Sequence, residues 1–191
     1  RKVVLLMSFL ERIGVWVRRF LLPDDSLATR AGWGHTSQFV DVDYGNYLAL
    51  SSAVYACATL RAELLASLPL RLFNKRGELV ERGDAYELLQ RVNPVWTFNR
   101  LLNMTELSLC LWGQAFWFLE RGETGKGRPR EIWWARPDRV RVITHPTQYV
   151  SGFLYEPQSG APPIRFGRDE VIWFRYPNPL DEFSGLSPLA A

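Results

Sequence analysis

Residues 114–142 read QAFWFLERGETGKGRPREIWWARPDRVRV, and the fold turns on them. Two short aromatic-rich runs, 114–120 and 131–134, flank a decapeptide crowded with glycine, lysine and arginine. Runs of that length, rich in Phe and Trp and separated by turn residues, read as two strands joined by a hairpin. Just beyond, Arg139, Val140, Arg141 and Val142 alternate, which puts the valines on one face of a strand and the arginines on the other. SGFLYE (151–156), PIRF (163–166) and EVIWFR (170–175) are further short strands with Gly, Pro and Asp turns between them.

Upstream the period changes to that of helices. In 47–69, YLALSSAVYACATLRAELLASLP, the residues Leu50, Val54, Cys57, Leu60, Leu64 and Leu68 step by three and four until Pro69 stops the run. LRLF (70–73) reads as a strand and NKRGE (74–78) as its turn. DAYELLQRV (84–92) is a short helix with Asp84 as its cap and Glu87 three places on. Thr97 caps a longer helix over 98–112, which Gly113 ends. Helices first and strands afterwards specify an α+β domain, helices packed on a mainly antiparallel sheet, and not a doubly wound one.

Two segments precede this body. Residues 1–22 carry Phe9, Ile13, Trp16, Val17 and Phe20 at helical spacing, with Arg12, Arg18 and Arg19 among them. That pattern is an amphipathic helix with a basic face, and Phe9, Ile13, Trp16 and Phe20 are candidate subunit contacts. Charged residues interrupt the run well before a membrane span's length, and no small-residue cleavage site follows, so neither a signal peptide nor a membrane span is expected, and a helix docked on a neighbouring subunit or on its own domain is favoured over one lying on a membrane surface. Met7 is a candidate natural start. Residues 23–47 show no sustained period and read as a linker, which leaves 48–191 as the α+β domain. At the far end, Ser187 and Pro188 have the order of an N-cap and a first helical residue. The chain is therefore expected to belong to a longer polypeptide that continues as a helix.

The totals exclude more than they select. The 191 residues are 47% apolar and 23% charged, which suits one globular domain with an arm. A net charge of +3 is too small to argue for nucleic acid by itself. Cys57 and Cys110 both fall in helical apolar patterns, read as buried thiols of a protein in a reducing compartment. His35 and His145 have no companions at metal-ligand spacing, so no metal site is expected.

The decapeptide 121–130 invites comparison with a phosphate-binding loop. Such a loop needs G-x-x-x-x-G-K-[ST] with a helix directly behind it. Here Gly122 and Gly125 are too close, Lys126 is followed by Gly127, and Pro129 leads into a strand. A solvated hairpin tip accounts for it. Arg128 and Arg130 on this tip, with Arg139 and Arg141 on the alternating strand, are candidate contacts to DNA or to an acidic partner. The adjacent carboxylates Asp24–Asp25 and Asp181–Glu182 lie in loops without an acid–base partner. Trp112, Trp117, Trp133 and Trp134 read as a sheet face packed under helices, with base stacking as the other option. No catalytic residue, metal ligand or cofactor site is expected. The residues alone leave three readings besides a self-assembling module: an enzyme fragment whose site lies beyond residue 191, a nucleic-acid-binding α+β module, and a protein anchored to a membrane by 7–22.

Five segments, in order, resemble the portal proteins of tailed bacteriophages and prophages. SSAVYACATLRAELLASLPLRLF (51–73) is similar to that family's first body helix and strand. AYELLQRVNPVWT (85–97) resembles its "lL..PN...t" segment, with Asn93-Pro94 in the reverse order. LSLCLWGQAFWFLER (107–121) is similar to "l.l.GnaY", with Gln114 and Phe116 substituted. IWWARPDRVRVI (132–143) resembles "l.P.rV.v", and DEVIWFRYPNPLDEFSGLSPLAA (169–191) resembles the strand, loop and "G.Spl..a" that lead to the next helices. The resemblance implies a non-enzymatic subunit of a ring, usually of twelve copies, at one capsid vertex of the virion, assembled in the cytoplasm of a bacterial host. Double-stranded DNA would pass through the ring without specific binding. Terminase, capsid protein and a head–tail adaptor would be its partners. This chain would be the N-terminal part of the ring's peripheral wing, with no cofactor and no catalytic residue to carry over.

Overall fold

The leucine-rich run folds as helix α1, Ser52–Ser67, with Ser51 as N-cap and its Oγ accepting from the Val54 amide. Leu68 closes it in extended conformation before Pro69, as a residue preceding proline must. The computed structural model describes residues 48, 51–122, 127–157 and 161–189. All lie in the second of two units, Thr36–Ala191. Phe9, Ile13, Trp16 and Phe20, the linker to residue 47, Asp24–Asp25 and His35 lie outside the described residues.

Helix α2 is Asp84–Gln90 and helix α3 is Phe98–Trp112. Asp84 is not the cap of α2 but its first residue. Gly83, at φ 100°, makes the turn that no L side chain takes easily, and it offers no capping oxygen. For α3 both expected ends hold: Thr97 Oγ1 accepts from the Arg100 amide, and Gly113 at φ 70° ends the helix.

Six strands follow among the described residues: β1 Gln114–Glu120, β2 Glu131–Ala135, β3 Val140–His145, β4 Tyr149–Tyr155, β5 Ile164–Gly167 and β6 Val171–Arg175. They form two antiparallel three-stranded sheets, ordered β2-β1-β6 and β3-β4-β5. The fold is α+β as expected, with the sheet divided in two. Residues 70–73 do not add a sheet strand. They make a small separate hairpin with one bridge, Phe73 to Leu79, whose tip is tied by Asn74 Oδ1 accepting from the Arg76 and Glu78 amides.

β1 is the hinge between layers because both of its faces are buried. Phe116 and Phe118 point to one side and join Val140, Val142, Phe153 and Phe166 of the second sheet. Phe118 stacks on Phe166 with ring centroids 4.0 Å apart, and Phe116 meets Phe153 edge-on at 5.8 Å. Trp117 points to the other side, among Phe98, Leu101 and Ile132 under α3. The order of layers is helices, first sheet, second sheet.

The loop between α2 and α3 is pinned by Asn93, which is buried. Its Nδ2 donates to the Ile132 carbonyl of β2, and its Oδ1 accepts from the Val95 and Trp96 amides. The backbone amide of Ile132 donates in turn to the Val92 carbonyl. The Asn-Pro order at 93–94 thus puts an amide side chain where three backbone groups need partners.

The stepped leucines of α1 do not face the body. Ala58 and Ala62, 6% and 0% exposed, pack toward α3, while Leu60, Leu64 and Leu68 are 59%, 61% and 60% exposed. Cys57, expected to be buried, is exposed on that same face. α1 lies close along α3, with the Asn99 Nδ2 donating to the Ala66 carbonyl at 2.6 Å, and such close approach takes alanines in preference to leucines.

Candidate interaction surfaces

The hairpin between β1 and β2 is closed by the Arg130 amide donating to the Glu120 carbonyl at 2.7 Å. Gly122 and Gly127 take positive φ at its two shoulders. Strand leads to strand, as the sequence indicated, and no helix opens behind the glycines. Residues 123–126 lie outside the description.

At the base of this hairpin, against α2, is an open cleft of about 910 Å³. Arg91, Arg121, Arg128 and Arg130 line it together with Asp84 and Glu87. Arg128 reaches Asp84 at 3.0 Å, a pair exposed on both sides and so of little energetic weight. Arg91 donates to the Pro94 carbonyl. Arg121 donates to the carbonyls of Gly127 and Asp169, and its Nε is buried with no acceptor among the described residues. Much of this arginine cluster is engaged in holding turns.

Arg128 and Arg130 therefore share one cleft. Arg141 belongs to β3 of the second sheet, whereas Arg139, expected on the same strand, ends the 3-10 turn Pro137–Arg139 just before it, and each has a carboxylate beside it. Arg139 lies 3.8 Å from Asp138, and Arg141 meets Glu156 at 3.1 Å. Val140 and Val142 between them are buried, so the alternation was read correctly. The four arginines do not make one continuous stripe along an element.

Of the four tryptophans singled out, Trp117 is buried and Trp112, Trp133 and Trp134 are half-buried, and the indole N–H groups of Trp117, Trp133 and Trp134 are satisfied. Trp117 donates to Thr105 Oγ1 at 2.7 Å and Trp134 to Ser108 Oγ at 2.9 Å, both on α3. Trp133 donates to Glu131. Rings held this way are not free to stack on bases.

A second polar cluster ties α1, α3 and the segment after β6. Arg61 Nε meets Glu106 Oε1 at 2.6 Å, and the Arg61 guanidinium also donates to the Tyr176 hydroxyl at 2.6 Å. Glu106 is buried and Arg61 half exposed. Burial, and then the Glu106 charge, push the Cys110 thiol up; the same two causes push the Tyr176 phenol up. A thiol held protonated is a poor nucleophile, so the cluster is a brace in character.

Among the described residues no group of three or more His, Cys, Asp or Glu could hold a metal ion. Asp181 accepts from the Phe183 amide, and Glu182 contributes its carbonyl, not its carboxylate, to Tyr149 and Arg175. His145 Nδ1 accepts from the Thr147 amide and ties a turn. No described helix is long and apolar enough to cross a membrane.

The surface that sequence reasoning missed is apolar. Leu60, Leu64, Leu68, Leu70, Phe73 and Leu79 are all at least half exposed, and they run from α1 through the small hairpin. The signal was present in Ala58, Ala62 and Ala66, which offer the smaller face for close packing.

The model of a protein family described as "Phage portal protein" matches residues 52–191. No curated protein matches the sequence. Among solved structures, a chain of the "Neck of empty GTA particle computed with C6 symmetry" is similar with a TM-score of 0.71 at 23% identity, covering 87% of this chain and 44% of that one. Chains of the "Virion of native gene transfer agent (GTA) particle" and of the "Neck of native GTA particle computed with C12 symmetry" each give 0.66 at 23% identity, covering 85% and 43%. The chain thus spans less than half the length of the solved chains it matches.

Proposed function

The chain belongs to the phage portal protein family, and from that premise we propose that it is the N-terminal part of a structural head–tail connector subunit. The carrying observation is the family match over 52–191, most of the chain. The α+β fold shared with chains of particle necks and of a virion supports the same reading. The protein has a scaffolding role without catalysis. It works in the virion, at the capsid vertex, as one copy in a homo-oligomeric ring, for which the symmetry named for the neck structures gives support.

The finer reading is a ring of about twelve copies through which double-stranded DNA is packaged and ejected, meeting terminase, capsid protein and a head–tail adaptor. A channel that lets DNA slide cannot hold it by many phosphate contacts, because each adds binding energy and a barrier to movement. A chain with net charge +3, in which Arg91, Arg121, Arg128 and Arg141 face carboxylates or carbonyls, fits that demand. Electron microscopy of the full-length protein tests the reading. Rings with a central hole wide enough for duplex DNA are expected. A monomer that binds DNA tightly and with a steep salt dependence would favour a nucleic-acid module built on Arg128, Arg130, Arg139 and Arg141 instead.

A further inference from the structure

We infer that the outward face of α1, carried on through Leu70 and the Phe73–Leu79 hairpin, is where a second copy of this chain docks in the ring. The inference rests on the ring reading above and names the surface that would make it.

A helix apolar on one stripe needs one partner, and a helix apolar all round needs cover on all sides. α1 is of the second kind. Its alanine face is covered by α3, while Leu60, Leu64 and Leu68 form one row at i, i+4 and i+8 on the far side, all about 60% exposed. Leu70, Phe73 and Leu79, each half exposed or more, extend the row beyond Pro69. Together these side chains present on the order of 600 Å², at the top of what a monomer exposes as one patch and most of the ~800 Å² that each partner gives to a standard interface. Six of the twelve large apolar residues exposed among the described residues fall between 60 and 79.

A closed ring repeats one head-to-tail contact, so each copy must offer an apolar patch of this size to its neighbour. The surrounding residues suit a rim. Glu63, Arg71, Lys75 and Arg76 are exposed and of mixed sign, as expected around a core that excludes water. The brace from Arg61 to the buried Glu106 keeps the helix fixed to the body, so the row is presented on a rigid support.

Two measurements on the full-length protein decide the matter. In the first, Leu64→Glu is compared with wild type by electron microscopy and light scattering, with circular dichroism to confirm folding. The variant should fold, with the wild type's circular dichroism spectrum and a cooperative melt, and give roughly tenfold fewer rings or none, since burying one uncompensated charge in the contact exceeds the 1.4 kcal/mol that a tenfold change requires. Rings in normal number overturn the assignment of the surface while leaving the ring reading intact. Absence of rings in wild type overturns the ring reading itself, and this inference with it. In the second, Cys57, one turn before Leu60 on the same face, is labelled with a bulky maleimide. It should be protected in wild-type rings and reactive in free Leu64→Glu subunits. Reactivity in rings overturns the inference, and so does protection in both states, which would mean that the protein's own remaining chain covers the face.

Discussion

Gly185 lies against the end of α3 with no room for a side chain. A β-carbon there would fall on the Gly113 carbonyl, which is fixed by accepting from the Tyr176 amide at 2.8 Å. Gly113 is confined in the same way, since a β-carbon on it would strike the backbone of Leu186 and Ser187. Gln114 Oε1 completes the contact, accepting from the Gly185 amide and from the Trp173 indole, both at 3.3 Å. Two short motifs read from the sequence, Trp-Gly-Gln and Gly-Leu-Ser-Pro, are therefore the two halves of one backbone contact. Replacing Gly185 by Ala should cost about 1–3 kcal/mol through overpacking and free the segment 176–187 from the helix end. Urea denaturation gives the first, and faster proteolytic cleavage within that segment the second. An unchanged midpoint together with unchanged cleavage would show that the backbone absorbs the extra carbon. Nothing in the sequence marks this pairing, because glycines 72 positions apart give no periodic signal, and only the motif order hinted that the residues mattered.

At the scale of elements, what was legible followed how local the deciding forces are. The ends of α3 were fixed by Thr97 and Gly113, and the alternation in 139–142 by burial on one face, so both could be read directly. The N-cap of α2 was misplaced by one residue because Gly83 acts through backbone freedom alone, without a capping side chain. The orientation of α1 was not legible at all. A stepped row of leucines reports a face that water disfavours, without saying what covers it, whereas the distance between α1 and α3 is set by the small residues. The candidate DNA contacts show the same limit. Composition picks out the arginines, but two of their carboxylate partners come from positions distant in sequence, Asp84 for Arg128 and Glu156 for Arg141, while Arg139 has its neighbour Asp138. The two faces of α1 can be separated by stability measurements. Measured on free subunits in the Leu64→Glu background, Ala62→Leu, at a fully buried position, should lower stability by about 1–3 kcal/mol, whereas Leu60→Ala on the open face should stay within about 0.5 kcal/mol of that background. Equal losses at the two positions would mean that Leu60 is covered within the folded subunit.

Across the whole molecule, the first sheet holds the helices on one side and the second sheet on the other, and each seam contains groups that resist losing a proton. On the helix side these are Cys110 and Tyr176, raised first by burial and next by the Glu106 charge, with Arg61 opposing in both cases. On the other side Tyr155 packs edge-on against Phe118 with centroids 5.4 Å apart, and burial pushes its phenol up against the opposing pull of Arg136 and Arg139. In each case the folded protein keeps the proton at a pH where the unfolded chain has begun to release it. Above the ordinary thiol and phenol values, about pH 9 to 10, the unfolded state binds fewer protons than the native state, so stability must fall as pH rises. Below that range both states are protonated and these groups contribute no slope. Melting temperatures measured at pH 7, 8.5 and 10.5 should therefore be level between the first two and lower at the third. Tyr155→Phe, which keeps the ring against Phe118 and removes the titrating hydroxyl, should flatten the decline, while Cys57→Ser on the open face should leave it unchanged. A decline of equal steepness in Tyr155→Phe would place the alkaline sensitivity on the helix side, in the seam that Arg61 and Glu106 hold together.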